Sequence, residues 1–181
     1  MFSVWRKFKG WVVLESFLRK PGKRAHARLV ARELGISAFS AFSYLKAYAR
    51  EGLLSEERVA NATLYFLRND SPLVKRLKQF YALVLLSEKR FVEKTLEENP
   101  RTTCIVLYGT MASGEYDEHS DFDVLVISSD KTLPKKAIAS LGGQVTVNAM
   151  TLSEWRNAGK EFKASLFANH VVLHGAGLVA K

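Results

Sequence analysis

Apolar residues recur at three- and four-residue intervals through the first fifty positions of the chain. The segment "WRKFKGWVVLESFLR" has this spacing and ends before a Pro-Gly pair, which predicts a first helix. The segment "AHARLVARELGIS" repeats the spacing and stops at Gly35, a residue typical of helix ends. Ser37 is a favoured N-cap for a third helix, "AFSAFSYLKAYARE", which Gly52 closes. The pattern therefore predicts three helices.

The pattern then changes to alternation of polar and apolar residues. The segments "LLSEERV" and "TLYFLR" alternate around the turn "ANA", which predicts a short β-hairpin. Ser71-Pro72 predicts the start of another helix, because serine is a favoured N-cap and proline is favoured at the first helical position. Helical spacing continues to Asn99-Pro100, either as one long helix or as two helices with a break near Ser87.

From Cys104 the pattern becomes one of strands separated by loops and helices. The predicted strands are "CIVLY", "DFDVLVI", "QVTVNAM" and "HVVLH", with helices near 135–141 and 161–169. This order predicts a small α/β or α+β domain with a sheet flanked by helices. Three parts are expected along the chain: residues 1–70, a helical linker over 71–87 and a domain over 88–181.

The positive charge of the chain is concentrated near its start. The 181 residues include 27 Lys and Arg and 18 Asp and Glu, and residues 1–50 hold 11 basic and 2 acidic residues. Residues 51–100 and 101–181 each hold 8 of both kinds. A local basic excess is the electrostatic footprint of a polyanion such as DNA, RNA or an acidic protein. The alternative is a solvated surface that keeps the protein soluble.

Composition also narrows the class of protein. Apolar stretches are short and interrupted by charge, so no bilayer-spanning segment is expected. Glu15 interrupts the apolar stretch after the basic start and no small-residue cleavage site follows, which predicts a cytoplasmic protein without a signal peptide. The single cysteine, Cys104, lies in an apolar run, so a disulfide framework is excluded and a buried side chain is expected.

Residues 11–68 resemble a winged helix-turn-helix, since two helices joined by a tight glycine turn precede "EGLL" and a hairpin. The resemblance implies that residues 1–70 bind duplex DNA. The outer face of the third helix lacks Arg, Asn and Gln, so we expect phosphate or shape contacts and weakly sequence-selective binding. The candidate DNA-binding residues are Arg24, Arg28, Ser37, Ser40, Ser43, Tyr44 and Lys46. The alternative is a helix pair used for dimerisation or protein docking.

The strand "DFDVLVI" begins with two carboxylates, Asp121 and Asp123. Alternation along a strand directs both side chains to one face, where their charges repel unless they are solvated or share a cation. Mg²⁺ suits such a pair, because one or two carboxylates and substrate phosphates commonly hold it. Upstream, Gly109 and Thr110 end a strand where backbone N–H groups, and the start of a short helix, can meet an anion. Together these elements indicate phosphoryl or nucleotidyl transfer.

The segment "GTMASGEYDEHSDFDVLV" resembles the signature of the polymerase β-like nucleotidyltransferases, especially their minimal prokaryotic members. Thr110 replaces the usual serine and keeps the hydroxyl, whereas Ser113 replaces the usual arginine and loses a charge. The resemblance extends over about 88–176 and implies a nucleotidyltransferase-type mixed sheet. The alternative is an acidic surface hairpin in an unrelated domain. The matching residues are Gly109, Ala112, Gly114, Ser120, Asp121 and Asp123.

The resemblance implies catalytic roles for Asp121 and Asp123, which would hold two Mg²⁺ ions. It also implies nucleotide contacts, which are assigned to Gly109, Thr110 and Ser120. A third acid from a neighbouring strand normally completes the cluster, but the matching strand, "QVTVNAM", contains no acid. Its nearest polar residues are Thr146 and Asn148, both neutral, which weakens the second metal site and leaves catalysis open.

Three functions are compatible with these patterns. The first is metal-dependent transfer of a nucleotide such as AMP from a nucleoside triphosphate to a hydroxyl acceptor, with a protein as one candidate acceptor. The second is a DNA-binding transcriptional regulator whose nucleotidyltransferase-type domain senses nucleotides. The third is an interaction module without catalysis. The intact acid pair favours the enzyme, and the missing third acid favours the regulator.

Overall fold

The computed structural model describes residues 2–142 and 144–175, and the chain divides into two compact units, Met1–Tyr81 and Ala82–Lys181. Residues 176–181 of the predicted domain over 88–181 lie outside the described residues. The helices are α1 Lys9–Leu18, α2 Ala27–Leu34, α3 Ala38–Arg50, α4 Pro72–Glu88, α5 Phe91–Glu98, α6 Gly109–Ser113, α7 Lys135–Ser140, α8 Leu152–Asn157 and α9 Lys160–Ala168, after a 3-10 helix over Phe2–Lys7. The strands are β1 Leu54–Val59, β2 Ala62–Leu67, β3 Thr102–Tyr108, β4 Phe122–Ser128, β5 Val145–Met150 and β6 His170–His174.

Local caps delimit the two central helices of the first unit. At the start of α2, His26 Nδ1 accepts a hydrogen bond from the Leu29 backbone N–H at 3.1 Å. Gly35 ends α2 in the left-handed conformation, with φ +63°. At the start of α3, Ser37 Oγ accepts from the Ser40 backbone N–H at 3.0 Å. The helix end predicted at Gly35 and the N-cap predicted at Ser37 are therefore confirmed.

The hairpin of the first unit packs with its helices around a shared apolar core. Strands β1 and β2 pair antiparallel from Leu54↔Leu67 to Val59↔Ala62, which confirms the hairpin expected from alternation. The fully buried side chains of this core include Phe17, Leu18, Val30, Leu45, Leu54 and Tyr65.

The stretch between the hairpin and the second sheet contains two helices. Helix α4 ends at Glu88 and α5 begins at Phe91, with Arg90 between them in the left-handed conformation, φ +52°. The two-helix alternative is thus the right one. The boundary between the compact units falls inside α4, between Tyr81 and Ala82.

The second unit is a four-stranded mixed sheet with the strand order β5-β4-β3-β6. Strand β3 pairs antiparallel with β4 and β6, whereas β4 and β5 run parallel. Side chains of α8 and α9 pack against one face of this sheet. The α+β class expected for this part of the chain is confirmed, and Cys104 is buried as expected. The core on this face contains Cys104, Val106, Leu125, Ile127, Trp155 and Leu166.

None of the helices in residues 2–142 and 144–175 is both long and apolar enough to cross a membrane.

Candidate functional site

The start of β4 holds the two predicted carboxylates. Strand β4 begins at Phe122, so Asp121 immediately precedes the strand and Asp123 lies on it. Asp121 is exposed and Asp123 is half-buried. Burial, followed by the charge of Asp121, raises the pKa of Asp123. Two nearby carboxylates repel each other when both are ionised, which is why the charge of Asp121 favours the protonated form of Asp123.

The turn at Gly109 lies directly against Asp123. A Cβ atom built on Gly109 would lie 2.6 Å from Asp123 Oδ2, so a side chain there would collide with the carboxylate. Gly109 also has a φ of +74°, a conformation that glycine adopts without strain. The glycine that follows β3 is therefore required both by its backbone conformation and by the position of the carboxylate.

Neither carboxylate forms an ion pair within residues 2–142 and 144–175. In the same residues, no group of three or more His, Cys, Asp or Glu is placed to hold a metal ion. Two open carboxylates nevertheless fit one Mg²⁺ ion, which proteins commonly bind through one or two carboxylates together with phosphate oxygens. The residues present therefore suit one ion and lack a third acid for another.

Strand β5 presents neutral side chains beside the acids. Asp123 is in register with Thr146, and Leu125 is in register with Asn148. Thr146 is exposed. The Asn148 amide Nδ2 donates a hydrogen bond to the Tyr108 hydroxyl at 2.5 Å. The position next to Asp123 therefore carries a hydroxyl group, and the next polar side chain along β5 already has a partner.

Tyr108 belongs to this site, although sequence reasoning missed it. It is the register partner of Asp123 on β4 and of His170 on β6, so these side chains share one face of the sheet. Its ring packs edge-on against Phe162, with ring centroids 6.0 Å apart. Burial raises the pKa of Tyr108, the hydrogen bond from Asn148 lowers it, and the charge of Asp123 raises it further. The available signal was its position, directly before the turn glycine at the end of a predicted strand.

Ser120 and Thr110, the other two predicted nucleotide-binding residues, differ in their surroundings. Ser120 Oγ donates to Asp117 Oδ1 at 2.9 Å and accepts from the Asp117 backbone N–H at 3.0 Å. The His119 backbone N–H also donates to Asp117, and these bonds lower the pKa of Asp117. Ser120 thus helps to order the loop before β4. Thr110 is exposed, next to Gly109 in α6.

Five of the predicted DNA-binding residues lie on α3 or at its start, and four of these five are uncharged. Ser37 and Ser40 are engaged in the helix cap, because their hydroxyl groups also bond to each other at 2.8 Å. Ser43 is exposed and Tyr44 is half-buried. Phe39, on the same predicted face, is 79% exposed, so the part of this face at Phe39 is open to solvent within the first unit.

The three predicted DNA-binding cations differ in their partners. Arg24 forms an ion pair with Glu57 of β1. Lys46 pairs with Glu56 at 2.9 Å, and the hydrogen bond to Glu56 raises the pKa of Lys46. Arg28 is exposed and has no ion pair in the described part of the chain. Two of the three candidate cations are therefore already partly neutralised by the hairpin.

Comparison with known proteins bears on the second unit. No curated protein matches the sequence. The crystal structure of a toxin–antitoxin with AMP-PNP is similar at 21% identity, covering 49% of this chain and 73% of that chain, with a TM-score of 0.37. A mutant of the toxin–antitoxin MntA-HpeT is similar at 19% identity, with the same coverage and a TM-score of 0.38. Residues 88–170, which lie within the second unit, match the family model of the nucleotidyltransferase domain.

Proposed function

We propose that the second unit binds a nucleoside triphosphate with Mg²⁺ at Asp121 and Asp123 and transfers its nucleotidyl group to a hydroxyl acceptor. The observation that carries this proposal is the contact between the Gly109 turn and Asp123. A side-chain-free turn gives phosphate oxygens access to the backbone beside two carboxylates that have no ion pair in the described residues. The family match of residues 88–170 supports the same chemistry.

In this reaction the acceptor oxygen forms a bond to the α-phosphorus of the triphosphate. The bond from that phosphorus to the oxygen bridging to the β-phosphate breaks, pyrophosphate leaves, and the hydroxyl proton passes to water. Asp121 and Asp123 would hold the metal, and Mg²⁺ supplies charge neutralisation for the leaving pyrophosphate. Thr146 and Asn148 are neutral, so neither acts as the carboxylate base that would accelerate removal of the proton.

We propose AMP as the transferred nucleotide and a protein hydroxyl as the acceptor. The test follows label from ATP carrying ³²P at the α-phosphate into a pool of cellular proteins, together with pyrophosphate release. Label transfer is expected only with Mg²⁺ and only from the wild type, not from the Asp121→Asn/Asp123→Asn variant. Equal transfer by that variant contradicts the proposal.

The second candidate function is a DNA-binding regulator that senses nucleotides, and the neutral residues on β5 favour it. In this case the first unit acts as a winged helix-turn-helix, for which three helices and an antiparallel hairpin supply the elements. Fluorescence anisotropy with a duplex at low salt, with and without ATP and Mg²⁺, tests it. Nucleotide-dependent duplex affinity without pyrophosphate release supports the regulator, and absence of salt-dependent duplex binding contradicts it.

A further inference from the structure

Four side chains form a row across the sheet at the site. Thr146 on β5, Asp123 on β4, Tyr108 on β3 and His170 on β6 are register partners in sequence across the four strands. Register partners on adjacent strands project to the same face of a sheet, about 5 Å apart. The row therefore contains one carboxylate, and its immediate neighbours are a threonine and a tyrosine.

Tyr108 also reaches the next row of the sheet. Its hydroxyl accepts the hydrogen bond from Asn148, whose register partner is Leu125. Because β4 lies between β3 and β5, this bond crosses β4 between Asp123 and Leu125. Phe162 of α9 packs edge-on against the Tyr108 ring and helps to fix it. The Asn148 amide nitrogen is thus held by the Tyr108 hydroxyl.

The residues around Asp123 limit how many cations the site suits. Carboxylates, carbonyls and water are the preferred ligands of Mg²⁺, and a second ion beside Asp123 would draw its ligand from β5. That ligand would be the neutral hydroxyl of Thr146, which adds no negative charge to balance a second divalent ion. In the described residues no third acid is grouped with the pair.

We infer that the nucleotide-bound site holds one divalent cation, and that Tyr108 is a positioning residue that keeps Asn148 away from the position of a second cation. Thr146 is then the residue whose side chain decides the number of cations. This inference rests on the proposed binding of nucleotide and Mg²⁺ at Asp121 and Asp123.

The test counts Mn²⁺, used in place of Mg²⁺, bound to the full chain saturated with a non-hydrolysable ATP analogue. Electron paramagnetic resonance of free Mn²⁺ gives the count, with binding to free nucleotide measured separately. One Mn²⁺ per chain is expected for the wild type. Two are expected for Thr146→Asp, which places a carboxylate beside Asp123 at an exposed position, and Thr146→Glu repeats the test if that variant does not fold.

Asn148→Asp is the matched control for Thr146→Asp. It introduces the same charge on the same strand and face, but Tyr108 can donate its hydroxyl proton to the new carboxylate and hold it in place. One Mn²⁺ is therefore expected for Asn148→Asp. Adding Tyr108→Phe removes that hydrogen bond, so the double variant is expected to bind a second Mn²⁺.

The possible outcomes separate the inference from the proposed function. Two Mn²⁺ in the wild type overturn the one-cation site. One Mn²⁺ in both folded Thr146 variants overturns the claim that the side chain at Thr146 decides the number of cations. Equal counts for Asn148→Asp with and without Tyr108→Phe overturn the positioning role of Tyr108, because a purely structural tyrosine would not change the count. No bound Mn²⁺ in the wild type overturns the proposed metal and nucleotide binding itself.

Discussion

The two units of the chain differ in their net charge and in how far their charged side chains are paired. Residues 1–81 contain 16 Lys and Arg and 6 Asp and Glu, whereas residues 82–181 contain 11 and 12. The first unit has the large excess, yet several of its cations are paired with its few acids. The second unit is nearly balanced, yet the two acids of its candidate site have no ion pair in the described residues. A charged side chain without an ion pair is therefore a better indicator of a binding site than the net charge of a unit, because net charge does not show which side chains are paired.

The pairs of the first unit show what this compensation does. Exposed ion pairs contribute only about 0–1 kcal/mol each, so a polyanion can compete for their cations. Glu15 is different because it is buried, and its contacts with two arginines serve the packing of α1. The pairs are Arg24–Glu57, Lys46–Glu56 at 2.9 Å, Lys23–Glu33 at 2.6 Å, and Glu15 with Arg6 at 3.1 Å and Arg19 at 3.0 Å.

The largest effect is expected from displacing the Asp123 carboxylate, which has no ion pair in the described residues. In Gly109→Ala the new Cβ collides with Asp123 Oδ2, and we expect Mg²⁺-dependent nucleotidyl transfer to fall about 100-fold. Gly142→Ala is the matched control, because Gly142 also has a positive φ, +68°, but its built Cβ has no heavy atom within 4 Å apart from those of Gly142 and its two chain neighbours. Both variants should lose about 1–2 kcal/mol of stability from the left-handed backbone. Equal transfer rates in the two variants would show that the contact with Asp123 has no role.

A second prediction tests whether the paired cations of the first unit are available to DNA. Removing the charges of Glu56 and Glu57 by Gln substitution releases Lys46 and Arg24. We expect the salt dependence of duplex binding to steepen by up to about 0.9 in log–log slope for each released cation. Arg28→Ala should reduce the slope by about 0.9, since Arg28 has no ion pair among the described residues.

Glu51→Gln is the control for the released cations. Glu51 is exposed and has no ion pair in residues 2–142 and 144–175, so its substitution changes net charge without freeing a cation. Anisotropy titrations over a range of salt concentrations measure all of these slopes. A slope for the Glu56→Gln/Glu57→Gln variant no steeper than that of Glu51→Gln contradicts the masking of Lys46 and Arg24.

The smallest expected effect is on the pH dependence of thermal stability, measured in the absence of metal ions. Burial and the charge of Asp121 raise the pKa of Asp123 in the folded state above its unfolded value, about 3.9. The folded protein therefore binds this proton more tightly, and stability is lost as pH rises from the unfolded pKa through the folded one. At pH 7, Asp123→Asn should raise Tm relative to the wild type, and the difference should shrink as pH falls below that window.

Asp117→Asn gives a control of opposite sign. Hydrogen bonds from the His119 backbone and from Ser120 lower the pKa of Asp117, so its ionised form stabilises the fold above the unfolded pKa. This variant should lower Tm at pH 7, and its deficit should diminish as pH falls through the folded pKa. Thermal unfolding with a chelator from pH 3 to 7 measures both variants. A lower Tm for Asp123→Asn at pH 7 would contradict the cost of burying the charged Asp123 carboxylate beside Asp121.

Local sequence was enough to predict the elements and the two ends of the candidate site. Gly35, Ser37 and Pro72 mark helix ends because caps act within one turn. Gly109 and Asp123 are joined by α6 and a short loop between adjacent antiparallel strands, so their proximity follows from local pairing. The motif residues could therefore be assigned before the order of the strands was known.

The rest of the site depends on contacts between distant parts of the chain. The hydrogen bond from Asn148 to Tyr108 joins residues 40 apart in the sequence. It depends on the strand order, because β3 and β5 flank the same strand, β4. The pairing of Arg24 with Glu57 joins residues 33 apart, so the sequence could identify Arg24 as a candidate DNA-binding residue but not its partner on the hairpin. Alternation indicates which face a residue occupies, but not which residue lies beside it on the next strand.

The central claim is that the two aspartates bind a divalent cation together with a triphosphate at the Gly109 turn. Calorimetry of ATP binding with and without Mg²⁺ tests it most directly on the wild type, Asp121→Asn/Asp123→Asn and Asp130→Asn. Asp130 lies beyond the other end of β4 and serves as the control for loss of a carboxylate. We expect Mg²⁺-dependent binding in the wild type and in Asp130→Asn, weakened at least about 100-fold, or about 2.8 kcal/mol, in the double variant. Equal ATP binding by all three proteins, or wild-type binding that is unchanged by Mg²⁺, would contradict the claim.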